Sequence, residues 1–312
     1  MKRVGFFCFE EKNNDCRRQR MMKVLIVIMM AGMWCMQPEK ASAADPVIRV
    51  ILTTTDFNSR YHQEITVSYD GKEITYTAEE VKKQGDKVRI PAQKDGIRIL
   101  SIQRQSGTPV YDGSIEIIPK EEGLIIVNEL FLEKYLTRVV PSEMPATYEK
   151  EALKAQAVCA RTYAWKQIQE QRLHELEADV DDTVNFQEPQ KAATEAVRET
   201  EGQILCQNGE AVEAYYFSTS AGVTSTDEIW GSDEAAPYLR SVPCKFDEEE
   251  PWSSWIVELP WKMLEDRIRE KGEGTVLRSV TVTRRSESGA ATALEAVSDK
   301  DSCIIENGYE IR

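Results

Sequence analysis

Residues 139–163 read VVPSEMPATYEKEALKAQAVCARTY. One carboxylate, Glu143, lies between Pro141 and Pro145, and a helical pattern follows at once. Proline restricts its own backbone and that of the residue before it, so the chain is expected to turn here and hold Glu143 at a rigid corner. Met144 and Tyr148 are placed to wall the acid with apolar surface, which favours the protonated form a general acid needs. Downstream, Leu153, Ala157, Ala160 and Ala164 recur at helical spacing and mark the buried face of a helix over Glu149–Gln171. Lys154, Arg161 and Ile168 share another line of that helix.

Outward from this stretch the pattern alternates between strand and helix. Strands are expected at Val47–Leu52, Gln63–Tyr69, Glu73–Thr77, Ile97–Ile102, Ile115–Ile118 and Gly123–Val127, with Asp70-Gly71 as a hairpin turn. A short helical piece is expected at Ala78–Gln84, and Leu130–Val140 reads as a helix ended by Pro141. Past the central helix, Gln190–Thr200 reads as a helix stopped by Gly202. Strands at Gln203–Cys206 and Ala211–Phe217 flank Asn208-Gly209, and Ser218–Asp233 reads as a loop. Ile256–Leu259 and Val276–Arg284 follow as strands around a helix at Trp261–Lys271. The fold class is therefore α+β, with a β-rich N-terminal part over 44–126 joined to a helix-plus-sheet core over 127–312.

The first 43 residues read as an export signal. Lys23 precedes a short apolar run, Val24–Met36, and Ala41-Ser42-Ala43 fits a cleavage site. The run falls short of the roughly 20 residues a membrane span needs, and an uncleaved anchor is the alternative. Localisation is expected to be extracytoplasmic, at the cell wall or the outer face of the membrane, with membrane contact only through such an anchor. The chain of 312 residues has a net charge of −14. Its leader is basic, so the remainder is more acidic still. Such a surface is a poor partner for nucleic acid, whose phosphates call for Lys and Arg. A neutral polymer is compatible with it.

Several chemistries drop out. His62 and His174 stand near no nucleophile motif, which leaves no Ser/His/Asp reading. Cys159 lies mid-helix, where a thiol is usually inert. Cys159, Cys206, Cys244 and Cys303 follow the leader; they could form disulfides in an exported protein, and none has zinc-site spacing. No metal and no cofactor are expected. Carboxylates remain. With 53 Asp and Glu in the chain, no single one is specific by itself. Glycoside cleavage ordinarily takes two, and no second acid as constrained as Glu143 is evident. One acid suffices if the substrate supplies its own nucleophile.

The order of motifs closely resembles the SpoIID/LytB family. The resemblance runs through YDGSIEI (Tyr111–Ile117), VNELFLEKYLTRVVPSEMP (Val127–Pro145) and ALKAQAVCARTYA (Ala152–Ala164). It continues in DTVNFQ (Asp182–Gln187), AVRETEGQIL (Ala196–Leu205), AYYFSTSAGVT (Ala214–Thr224), Trp230-Gly231 and PYLRSV (Pro237–Val242). It implies a peptidoglycan lytic transglycosylase, a glycan-cleaving lyase that breaks the bond between N-acetylmuramic acid and N-acetylglucosamine. The muramic 6-hydroxyl attacks and leaves a 1,6-anhydro end. By resemblance the catalytic acid is Glu143, and Lys154 and Arg161 are positions tied to activity. Tyr215, Ser218, Ser220, Thr224 and Trp230 fall in a second block expected beside the glycan. The resemblance also implies a role in sporulation and engulfment, denuded glycan strands as substrate and a cell-wall amidase as partner. A non-catalytic amidase enhancer or glycan-binding protein is the alternative. Two departures stand out. The His/Cys zinc cluster of some members has no counterpart in 182–187. Members also usually continue past the residues matching Tyr309–Arg312, so the core is expected to be cut short.

Overall fold

The computed structural model describes residues 7–9, 45–104, 107–182, 189–220, 222–225, 236–246, 249–250, 254, 256–269, 276–306 and 308–311, with the side chains of 7–9 and 309 left aside. The expected leader thus lies outside the described residues, apart from one short strand. The chain divides between Tyr215 and Tyr216 into two units. The boundary expected at 126/127 falls inside one continuous strand, Leu124–Phe131.

The first unit begins with β1 (Phe7–Phe9), β2 (Val47–Leu52), β3 (Glu64–Tyr69), β4 (Lys72–Thr77) and α1 (Ala78–Gln84). Next come β5 (Val88–Ile90), β6 (Ile97–Ile99), β7 (Val110–Tyr111), β8 (Ser114–Pro119) and β9 (Leu124–Phe131). It continues through α2 (Leu132–Glu143), α3 (Lys150–Glu170), β10 (Val180–Asp181), α4 (Lys191–Glu199), β11 (Gln203–Gln207) and β12 (Glu210–Ala211). A five-stranded sheet in the order β10-β2-β9-β8-β5 forms its centre, beside a four-stranded sheet β4-β3-β6-β7. The mixture bears out the α+β class.

Alternation builds the core. Ile48, Val50 and Leu52 of β2 enter the main apolar cluster with Ile115, Ile117, Leu124 and Ile126, where Leu132, Leu136 and Val140 of α2 and the predicted face of α3 meet them. Leu153, Ala157, Ala160 and Ala164 are all buried. Ile51, Ile118, Ile125 and Val127 point to the other face of the sheet, covered by Tyr61, Leu173 and Leu176. Both predicted hairpin turns form. Asp70 and Gly71 have φ of 48° and 68°, and Asn208 and Gly209 have 54° and 84°, the pair of positive values a tight two-residue hairpin needs.

Two differences from the sequence reading have plain causes. Helix α2 does not end at Pro141 but runs through it to Glu143. A proline inside a helix costs about 3 kcal/mol or more. Burial of Val139, Val140 and Pro141 offsets it. Ser142 Oγ donates to the carbonyls of Arg138 and Val139, and Met144 N–H donates to Val140 O, closing the last turn. The strand expected over Ala211–Phe217 is only two residues long, β12. Its partner β11 is engaged elsewhere: Arg161 donates to Gln203 O, and Leu205 N–H donates to Thr162 Oγ1.

The second unit holds α5 (Trp261–Arg269), β13 (Leu277–Arg285), β14 (Ala291–Ser298), β15 (Ser302–Glu306) and α6 (Gly308–Ile311). Its strands form an antiparallel sheet β13-β14-β15. Ile256–Leu259, expected as a strand, is irregular and leads into Pro260, with Ile256 91% exposed. Among the described residues no strand pairs with it.

Candidate functional site

Glu143 is the last residue of α2, so the site is built by whatever fixes that helix. Its first amides are capped from far away in sequence. Leu132 N–H donates to Pro46 O at 2.7 Å, and Glu133 N–H donates to Asp45 Oδ1 at 3.3 Å. Its middle is clamped by Arg138, whose guanidinium reaches Asp112 Oδ2 at 2.6 Å. Asp112 belongs to the YDGSIEI stretch, where Gly113 lets the chain pass close to β9. A Cβ on Gly113 would sit 2.2 Å from Glu129 O.

The clamp to α3 is Glu133–Arg161. Arg161 Nε donates to Glu133 Oε1 at 2.7 Å and Nη2 to Oε2 at 2.8 Å, a two-pronged ion pair. The rest of the guanidinium donates to the carbonyls of Val197 and Gln203 at 3.1 and 3.2 Å and to Thr200 Oγ1. Arg161 has no exposed surface. A group enclosed in this way cannot touch a polymer, so the expected glycan contact at Arg161 gives way to a framework role: it ties α3 to α2, α4 and β11. Arg161 and Lys154 share one line of α3, yet of the two only Lys154 keeps exposed surface.

Lys154 is half-buried. Its ammonium donates to Glu151 at 3.0 Å and lies 3.9 Å from Glu199 of α4. Helices α2 and α3 pack together, joined by the short segment 144–149, and Glu133 near the start of α2 meets Arg161 midway along α3. The pair is therefore antiparallel, and Glu143 and Lys154 lie toward the same end of it. Glu143 itself is partly exposed. Of the two expected wall residues, Met144 packs against the core, while Tyr148 is 54% exposed and its N–H donates to Pro145 O.

Tyr215 lies elsewhere in the same unit. Glu213, two residues before it, is 3.2 Å from Lys166 and 3.1 Å from Arg172, near the far end of α3. Lys154 and Lys166 are separated by about 18 Å of helix. Tyr215 is thus not brought to the Glu143 end. Ser218, Ser220 and Thr224 fall in the second unit. Ser218 is exposed, and Ser220 is buried with its Oγ accepting from Gly222 N–H. Thr224 zips to Val242: its N–H donates to Val242 O, and its Oγ1 accepts from Val242 N–H, both at 2.9 Å. Trp230 lies outside the described residues. The four cysteines Cys159, Cys206, Cys244 and Cys303 are free thiols, and burial pushes the Cys159 thiol up.

Sequence reasoning missed the groups that hold the site: Asp45, Asp112, Glu133 and Arg138. It also missed the buried pair in which Arg104 donates to Asp182 at 2.6 Å while Thr53 N–H and Oγ1 donate to the other carboxylate oxygen at 2.7 Å. No local signal marks such partners; Asp182 and Arg104 are 78 residues apart.

Comparison with known proteins fits this frame. Residues 120–206 match the family model SpoIID, described as stage II sporulation protein. That stretch is similar to the SpoIID family. It takes in α2, α3 and α4, and with them Glu143, Lys154 and Arg161. Stage II sporulation protein D of Bacillus subtilis (strain 168) is 38% identical over 144 residues, 40% of this chain and 42% of that protein. An uncharacterised protein of Brachyspira hyodysenteriae is 28% identical over 279 residues, 82% of this chain and 74% of its own length. An amidase enhancer of Bacillus subtilis (strain 168) is 34% identical over 138 residues, only 18% of its length. The match to stage II sporulation protein D thus spans less than half of that relative. The resemblance to the SpoIID/LytB family is borne out.

Proposed function

We propose that this protein acts on the bacterial cell wall and cleaves peptidoglycan glycan strands as a lytic transglycosylase, with Glu143 as its acid. The observation that carries the reading is the placement of Glu143: a partly exposed carboxyl at the end of a helix clamped by Asp45, Asp112 and Arg161, inside the stretch similar to SpoIID. A neutral acid is what departure of a sugar alcohol needs.

In this mechanism Glu143 gives its proton to the glycosidic oxygen as the muramic C1–O bond breaks. The 6-hydroxyl of the same muramic residue closes on C1, and its proton returns to the Glu143 carboxylate. One bond breaks and one forms, no water is consumed, and a single carboxyl serves both steps. The work of Glu133, Arg161, Arg138 and Asp112 is to hold that carboxyl still. Action on the wall places the protein outside the cytoplasm, consistent with the basic, apolar and small-residue order of residues 23–43.

The test is mass spectrometry of stem-peptide-free glycan strands digested with the full chain and with Glu143→Gln. Anhydro-muramic ends are expected, falling about 100-fold or more in the variant. Their absence with a folded chain overturns the reading. It then moves to the second one, favoured by the amidase-enhancer match: the chain stimulates a wall amidase, and Glu143→Gln keeps that effect.

A further inference from the structure

The segment between Glu143 and α3 carries one group that the mechanism leaves idle. Tyr148, in that short connection, is 54% exposed. Its N–H donates to Pro145 O at 3.0 Å, the bond that closes a four-residue turn. Both ends of the segment are tied. Met144 N–H donates to Val140 O and Leu153 N–H to Glu149 O, while Met144 packs against the core. The turn brings the Tyr148 backbone within about 7 Å of Pro145, and the two residues back to Glu143 span at most about 7 Å more. The ring thus stands close to Glu143, on backbone that is already set.

Its neighbours are charged. Glu149 follows it directly. Lys150 is engaged by Glu199 at 2.5 Å, and Lys154 by Glu151 at 3.0 Å. The hydrogen bond to Glu199, with the charges of Glu195 and Glu151, pushes the Lys150 ammonium up, as an acidic surround does. Both lysines beside the ring are therefore taken by carboxylates.

We propose that Tyr148 stacks on the N-acetylglucosamine ring at the scissile bond, the ring that leaves with the oxygen Glu143 protonates. This rests on the function proposed above and adds a substrate contact to it. An aromatic face covers the C–H face of a pyranose. The two sugars of a stem-peptide-free strand differ in charge: each muramic residue carries a carboxylate, and N-acetylglucosamine carries none. A carboxylate at Tyr148 would meet Glu149 and Glu151, so the uncharged ring is the one that fits.

Two probes are titrated by calorimetry into the Glu143→Gln chain, so that nothing is cut. One is stem-peptide-free strands, and the other is the tetramer of N-acetylglucosamine, which has no muramic carboxylate. Adding Tyr148→Ala is expected to weaken both about fivefold, and Tyr148→Phe, which keeps the ring, to stay within about twofold. Circular dichroism should not change, because the ring is exposed; Tyr148→Gln repeats the test if Tyr148→Ala fails to fold. With Glu143 intact, Tyr148→Ala should raise KM about fivefold and leave kcat within about twofold, the split of a contact made equally in ground and transition states. Parent-like binding of both probes by Tyr148→Ala overturns the contact, as does a parent that does not bind the tetramer. A loss confined to the strands moves the ring to the muramic side and overturns the assignment. A loss with both probes, without anhydro product from the unmodified chain, upholds the stacking contact and overturns only the role of Glu143.

Discussion

The α2–α3 pair and the Ser218–Thr224 stretch carry motif residues of the same family resemblance, yet they use them differently. In the helix pair the polar motif residues are spent on the interior. Arg161 is enclosed, and Arg138 and Glu133 lock α2 to its neighbours. In the later stretch the backbone is irregular, and Ser220 and Thr224 satisfy amides close at hand while Ser218 faces solvent. A polar residue in a motif can thus hold the frame of a site without touching what the site binds. Burial, rather than residue type, tells the two apart.

The largest effect expected from this contrast is at Arg161. Arg161→Met removes the partner of Glu133 and the donors to α4 and β11, leaving buried acceptors unmet. It should cost about 3–5 kcal/mol, read as a fall in the urea midpoint of the first unit. A variant of near-normal stability that bound glycan poorly would restore Arg161 as a substrate contact and break the comparison.

Next comes Gly113, at the turn that aims Asp112 at Arg138. Its φ of 80° and the 2.2 Å approach to Glu129 O leave no room for a side chain. Gly113→Ala should cost about 2 kcal/mol or more, since backbone and β9 must shift together. Proteolysis would then be expected to open α2 before the rest of the sheet. Unchanged protease resistance would show that the YDGSIEI stretch does not brace the Glu143 helix.

How much of this could be read from the sequence follows the range of the interaction. The buried face of α3 and both hairpin turns were legible, because periodicity and turn chemistry are local. The run of α2 through Pro141 was not. Local rules stop a helix before proline, and only the packing of Val139, Val140 and Pro141 against the core overrides them. Glu143 was legible as a candidate, since its prolines flank it. The role of Arg161 was not: helical spacing gives its angle around α3, but Glu133, Val197 and Gln203, which enclose it, come from three other elements. The short extent of β12 was not legible for the same reason, as Leu205 N–H of its partner strand is taken by Thr162 of α3.

Two carboxylates sharpen the contrast through pH. Burial raises Asp45 to about 6, with the neighbouring Glu133 and Glu201 charges adding and the Glu133 amide opposing. Burial would also raise Glu116, but hydrogen bonds from Arg49, Lys87 and Arg89 outweigh it and bring it down to about 2. The native state therefore binds the Asp45 proton more tightly than the unfolded chain does, and stability should rise as pH falls from about 6 toward 4. Glu116 acts in the opposite sense: its contribution is present above about 4.5 and is lost as pH falls toward 2. Melting temperature against pH should pass through a maximum between these windows. Asp45→Asn should flatten the upper limb and stabilise the protein at pH 7 by about 1–2 kcal/mol, a figure discounted for the half-exposure of Asp45. An upper limb that persists in Asp45→Asn would assign it to another group.

The smallest effect belongs to the second unit. Thr224→Val deletes the oxygen that accepts from Val242 N–H but leaves the Thr224 N–H bond to Val242 O intact. Val242 is 54% exposed, so water can replace the lost acceptor. A buried amide stripped of its partner would cost about 1–3 kcal/mol, but here the loss should stay near 0.5 kcal/mol, at the limit of a denaturant titration. Glycan affinity is therefore the more telling readout for Thr224. If affinity falls while stability holds, Thr224 reaches the strand as the family resemblance implies, and the stretch both zips a loop and binds. If neither moves, its hydroxyl serves the loop alone, and the two regions differ only in how deeply they bury the same kind of frame.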